Sequence, residues 1–204
     1  MPMFLSANEI KAEIEAGRIG IDPYLPTLIK PVSYVLRLGS NIIKWAPSER
    51  PIRIWSESAG KDHLVRESLM PGHILPPGGF FLCGTLERIR VPEGLCGVIA
   101  TLSHLARFGL CVHLNSFVIS PGFGVNRMSH LTLELSSHNS APVELQPGLP
   151  VCHILFARTE AGREARLPLS RSIYEGLDAP SGPMLYEEFC NILGSALDAR
   201  AQDD

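Results

Sequence analysis

The sequence predicts an all-β protein: a compact barrel or double-sheet fold with short helices near its two ends. Three observations carry that expectation. The 18 glycines and 17 prolines are spread along the chain rather than gathered in one tract. Between them lie short runs rich in Val, Ile, Leu and Phe, the pattern of many short strands joined by turns. The segment from His130 to Asn139 alternates, with Leu131, Leu133 and Leu135 on one face and Thr132 and Glu134 on the other.

The elements follow in order. Ser6 with Glu9 three residues later forms a capping box, Ile10 and Ile14 recur at helical spacing, and Gly17 ends the run. Asp22-Pro23, Leu25-Pro26 and Lys30-Pro31 hold the chain extended. Residues 32–38 read as a strand closed by Gly39, and residues 41–45 and 51–55 as a second pair. The polar stretch 56–68 reads as a loop or cover segment. Strands are expected at 80–84, at 86–91 and from Leu95 to Ser103. Residues 103–109 suit one helical turn ended by Gly109, and residues 110–114 are again extended. After the 130–139 strand, two more strands flank Pro147-Gly148, a pair suited to a type II turn. A short helix is expected near residues 185–197.

A chain of 204 residues is one domain's worth, and 45% hydrophobic against 19% charged residues gives it a core and excludes a disordered chain. Eighteen basic against 21 acidic residues leave a net charge of -3. That balance supplies no electrostatic footprint for nucleic acid and no polybasic block for a membrane surface. The N-terminus lacks a basic region followed by a long apolar run, and no stretch is long and apolar enough to span a bilayer. The expected location is cytoplasmic. Five cysteines, an odd number with no CxxC pair, suit free thiols in a reducing compartment. With no HExxH or HxxxH there is no protein-ligated metal site to expect. The absence of GxGxxG and of a Walker A motif removes the Rossmann and P-loop readings.

Glu134 sits mid-strand. It is either a carboxylate on a solvent face or a general base in a cavity whose burial raises its pKa. A base of that kind needs a hydroxyl to fix its water, and Ser103, Ser116 and Thr132 are the candidates. Ser103 reads as a helix N-cap, as part of an anion site, or both. Arg107, four residues on, shares its face on a helical turn and suits a phosphate or carboxylate. His113 lies in an apolar strand, where a hydrogen-bonded structural role competes with substrate binding. His104 is similarly open.

The same segments resemble the dCTP deaminases of the dUTPase-like fold. The resemblance runs over residues 4–176 in patches: PVSYVLRLG at 31–39, LPPGGFFLCGTLERIRVPEGLCGVI at 75–99, SHLARFGLCVH at 103–113, ISPGFG at 119–124, LTLELSSHN at 131–139 and QPGLPVCHILFAR at 146–158. It implies a single domain over 1–204, with a core of about 4–176 and a tail of 177–204. The implied fold is a distorted β-barrel that assembles as a homotrimer with active sites between subunits. The implied substrate is a deoxycytidine nucleotide carrying Mg²⁺ on its phosphates, with no catalytic zinc. The match carries the catalytic glutamate onto Glu134, the catalytic serine onto Ser103, the arginine onto Arg107 and a water-holding backbone group onto Ser116. Substrate-binding roles fall on His104, His113 and Tyr174.

The departures fall on the nucleotide grip. Leu102 stands where the family has arginine, and leucine makes no bidentate phosphate contact. Ser120 stands where related dUTPase-like enzymes have an aspartate that activates water for attack on phosphorus. Ile173 and Leu177 replace a lysine and a glutamine, and Val35 replaces an aspartate. A deaminase of dCTP or a close relative is the expected function. The alternatives are a non-catalytic trimeric nucleotide-binding or regulatory homologue and, third, a dUTPase-like pyrophosphatase.

Overall fold

The structure is a computed structural model and describes residues 3–54, 61–113, 116–159, 176–184 and 187. Helix α1 (Ala7–Glu15) begins at the expected capping box: the Ser6 N–H donates to Glu9 Oε2 at 2.8 Å, and the Glu9 N–H donates back to Ser6 Oγ at 3.4 Å. Gly17 follows with φ of 68°, the left-handed conformation that stops a helix.

The strands are β1 (Gly20–Asp22), β2 (Ile29–Lys30), β3 (Ser33–Trp45), β4 (Leu64–Ser68), β5 (His73–Leu75), β6 (Phe80–Arg90) and β7 (Leu95–Thr101). The one-turn helix α2 (Ser103–Ala106) comes next, then β8 (Leu110–Cys111), β9 (Val118–Ile119), β10 (Ser129–Ser137), β11 (Val143–Leu145) and β12 (Pro150–Arg158). Among the described residues one curled sheet runs in the order β8-β10-β6-β3-β12-β7-β9, with β1 beside β6 and β2 and β4 beside β3. Strands β5 and β11 form a separate pair. The all-β barrel expectation holds.

Three local expectations do not. Gly39 does not close a strand. β3 runs through it for 13 residues, and its register against β6 shifts between Leu38 and Ile42. A Cβ on Gly39 would sit 2.9 Å from the carbonyl oxygens of Gly84 and Thr85, so only glycine permits this close crossing. Likewise 80–84 and 86–91 are one strand, β6. The partner of residues 41–45 is not 51–55 but β4, inside the stretch read as a loop. β4 is largely exposed and pairs only with β3, so its Arg66, Glu67 and Ser68 disguise an edge strand as polar cover. The helix expected near 185–197 falls outside the described residues apart from Glu187.

The core is continuous and aliphatic, with Tyr34, Phe156, Leu36, Leu38, Ile42 and Ile89 fully buried. The Tyr34 hydroxyl accepts the Leu25 N–H at 2.9 Å. Where β3 bends against β6, buried Glu87 binds Arg37 twice. The guanidinium Nε donates to Oε1 at 2.6 Å and the Arg37 backbone N–H donates to Oε2 at 2.9 Å.

Candidate active site

β10 builds one wall of a cavity of about 450 Å³. Its Leu131, Leu133 and Leu135 are buried in the core and alternate with His130, Thr132 and Glu134, and all of these except Leu135 line the cavity. Between His130 and Thr132 the register shifts, with Leu131 alone facing Thr85, Leu86 and Glu87 of β6. There the Leu131 N–H leaves the ladder and donates to Thr85 Oγ1 at 3.0 Å, while His130 Nδ1 donates to the Thr85 carbonyl at 2.8 Å. Carbonyl oxygen is acceptor only, so His130 carries its proton on Nδ1. The Glu134 N–H donates to the Val112 carbonyl at 3.0 Å, tying the carboxylate-bearing residue to the segment after β8.

The remaining walls are mostly apolar. Trp45 comes from the end of β3, Phe80 and Leu82 from β6, and Val118 and Ile119 from β9. Ser116 and Ser120 lie at the exposed rim beside β9. No lysine or arginine is among the described residues that line the cavity. Glu134 therefore faces a low-polarity space that can hold an uncharged ring and carries one strong proton acceptor.

The fourth wall comes from far along the chain. Residues 176–184 run beside β10 as a strap. The Gly176 N–H donates to Ser129 Oγ, the His130 N–H to the Leu177 carbonyl and the Ser181 N–H to Thr132 Oγ1 at 3.2 Å. Arg127 pairs with Asp178, and Arg66 Nη1 donates to the Pro180 carbonyl at 2.9 Å. Ser181, Gly182 and Pro183 consequently line the cavity. The sequence offers no signal for this wall, because the strap's partners Ser129, His130, Thr132, Arg66 and Arg127 lie far from it along the chain.

Of the residues expected in the site, Glu134 and Ser116 share the cavity and Thr132 joins them. Ser103, His104 and Arg107 do not line it. They are exposed on α2, beyond the end of β7. Ser103 is the first helical residue rather than the cap. Leu102 occupies the cap position and makes no side-chain cap bond. His113 also lies off the cavity. Its Nε2 accepts the Thr101 N–H at 3.3 Å, which places the ring proton on Nδ1. Tyr174 and Ile173 lie outside the described residues. Among the described residues no cluster of three potential metal ligands occurs, and no helix is long and apolar enough to cross a membrane.

The curled sheet, the irregularity of β6 opposite Leu131 and the register shift of β3 around Gly39 define a distorted β-barrel. The crystal structure of 2′-deoxycytidine 5′-triphosphate deaminase from Agrobacterium tumefaciens shares the fold, with a TM-score of 0.60 at 20% identity over 77% of this chain and 48% of that one. The chain belongs to the dCTP deaminase-like family, an enzyme family whose profile matches residues 4–159. It is 34% identical over 191 residues to the dUMP-forming dCTP deaminase of Mycolicibacterium vanbaalenii, covering 92% of this chain and 98% of that one. It is also 34% identical to the dUMP-forming dCTP deaminase of Methanospirillum hungatei, over 78% of this chain and 83% of the relative.

Proposed function

We propose that the protein hydrolytically deaminates a cytosine deoxynucleotide, dCTP or a close relative, to the uracil nucleotide with release of ammonia. The observation that carries this is Glu134, a carboxylate on the wall of an otherwise mostly apolar cavity sized for a nucleoside. Glu134 takes a proton from water, and the hydroxide adds to C4 of cytosine. The protonated carboxyl then gives its proton to the amino group, which leaves as ammonia, and the proton of the added hydroxyl passes to N3 as C4 becomes a carbonyl carbon. Ser103 orients the water, the Ser116 backbone helps hold it, and the charge of Arg107 stabilises the arrangement.

Those α2 residues are exposed and off the cavity of their own chain, which supports a site completed by a neighbouring subunit of a homotrimer. Exposed Phe108, Phe117 and Val118 supply apolar surface for that contact. His104 and Tyr174 then serve the phosphates, His113 braces the backbone beside the site, and Mg²⁺ arrives on the nucleotide. Free thiols on all four described cysteines suit the cytoplasm.

The test is a screen of cytosine deoxynucleotides at each phosphorylation level, following ammonia and uracil-nucleotide formation together. Turnover of one of them is the expected result. Tight binding of a cytosine nucleotide without turnover would replace this reading with a non-catalytic binding homologue, for which Leu102 in place of the phosphate-gripping arginine speaks.

A further inference from the structure

The carbonyl that receives the Glu134 N–H belongs to Val112, just past the end of β8. The register between β8 and β10 covers only Leu110 with Ser137 and Cys111 with Ser136, so Val112 lies beyond that ladder. Another strand holds it. Thr101, the last residue of β7, bonds to each of Cys111, Val112 and His113. Its Oγ1 accepts the Val112 N–H at 3.2 Å and donates to Cys111 Sγ at 3.8 Å, while its own N–H donates to His113 Nε2 at 3.3 Å. Cys111 Sγ in turn donates to the His113 carbonyl at 3.0 Å. Val112 is fully buried, so its N–H has no solvent to turn to if the Thr101 hydroxyl is removed. Thr101 itself is not among the residues that line the Glu134 cavity.

We propose that Thr101 is a positioning residue for deamination: its hydroxyl fixes Val112, and Val112 fixes the main chain of Glu134. This rests on the deaminase reading of Glu134. A general base must stay within hydrogen-bond reach of the water it activates, and a misplacement of about 1 Å can cost about 100-fold in rate. The N–H and the carbonyl of Val112 flank one Cα, so displacing the first moves the second. Valine at position 101 keeps the volume and the β-branched shape of threonine but offers no acceptor, and it leaves a buried N–H unpaired. Serine keeps the acceptor. Thr101 also stands two residues before Ser103, so an effect carried by α2 has to be told apart from one carried by Val112.

The experiment compares wild type, Thr101→Val and Thr101→Ser in steady-state deamination of dCTP with Mg²⁺, or of whichever cytosine deoxynucleotide wild type turns over. Protein concentrations are matched and the temperature lies below the melting transition of each protein. Thr101→Val is expected to lower kcat about tenfold or more with KM within about threefold of wild type, the mark of a group that acts on the reacting geometry and not on binding. Thr101→Ser is expected to stay within about threefold of wild type in both constants. Hydrogen exchange followed by mass spectrometry on the nucleotide-free proteins supplies the route. Exchange is expected to quicken in peptides containing Glu134 for Thr101→Val and not for Thr101→Ser, with peptides over residues 103–107 unchanged. Wild-type kcat in Thr101→Val, or a loss that serine does not restore, overturns the proposal and leaves the deaminase reading standing. So does a lowered kcat with exchange quickened only at 103–107, which would put the effect on α2. If neither Thr101→Val nor Thr101→Ala folds, the hydroxyl serves the fold and the proposal is overturned. Wild-type protein that turns over no cytosine nucleotide overturns the deaminase reading and, with it, the catalytic role of Thr101, even where exchange at Glu134 responds to Thr101→Val.

Discussion

The backbone N–H of Glu134 bonds to the carbonyl of Val112, so the main chain of the carboxylate-bearing residue is tied to the segment after β8. Glu134→Gln should therefore leave the strand in place while removing the proton acceptor. Ammonia release is expected to fall about 10²–10⁴-fold, the usual worth of general acid–base transfer, with unchanged melting and assembly. A coupled ammonia assay at matched protein concentration checks it, and equal rates would end the mechanism.

Leu102 caps α2 without a side-chain bond, so its replacement sacrifices no cap. Leu102→Arg is expected to tighten triphosphate binding about tenfold through a charge-assisted contact. Unchanged affinity in an intact assembly would shift the phosphate role to His104.

Ser120 sits at the exposed rim of the cavity where a water-activating aspartate would be needed for attack on phosphorus. A serine hydroxyl is a poor general base at neutral pH. Chromatography of the reaction products is expected to show the uracil triphosphate accumulating with ammonia, and little pyrophosphate. Equimolar ammonia and pyrophosphate from the outset would contradict this, and would align the chain with its dUMP-forming relatives.

Burial divides the thiols. It pushes the Cys83 thiol up to about 12 and raises that of Cys152 too, whereas Cys96 and Cys111 are only partly buried. At pH 8 the two buried thiols remain protonated and unreactive. Native-state alkylation with mass mapping should label Cys96 and Cys111 at least tenfold faster. Early labelling of Cys83 would show that the sheet opens around it.

The ion pairs should differ sharply in worth. Glu87 is fully buried against the partly buried Arg37, and removing it leaves that guanidinium without this partner, so Glu87→Ala is expected to cost about 3 kcal/mol in denaturant unfolding. Asp178 and Arg127 are both exposed, and Asp178→Ala should cost under about 1 kcal/mol. Equal losses would mean that the Glu87 pair contributes nothing special to the β3–β6 junction.

The alternation in β10 was legible because a half-buried strand writes its two faces at period two, and the same period marked Glu134 as lying off the core. The capping box of α1 was legible for a similar reason, since it is made by two residues three apart. β4 was not legible, because an edge strand needs no apolar face and its charges read as a loop. The continuity of β3 through Gly39 was hidden because glycine marks a turn and a close crossing with the same letter. Ser181 was illegible because its position depends on a strap that returns to β10 from more than 40 residues away. The placement of Ser103 and Arg107 off the cavity is a fact of tertiary geometry. Their spacing fixed only that they share a turn of helix.

β3 belongs to both halves of the barrel. Its first residues pair with β12, its last with β4 and β6, and Gly39 lies between. Neither half can melt alone, because separating either set of neighbours strips hydrogen bonds from a strand that the other half also holds. Trp45, which lines the cavity, stands at one end of this shared strand, and Ser33, beside β2, stands at the other. Denaturation should accordingly be a single cooperative transition, with tryptophan fluorescence and backbone dichroism changing together. The Glu134 cavity would then persist until the whole barrel is lost.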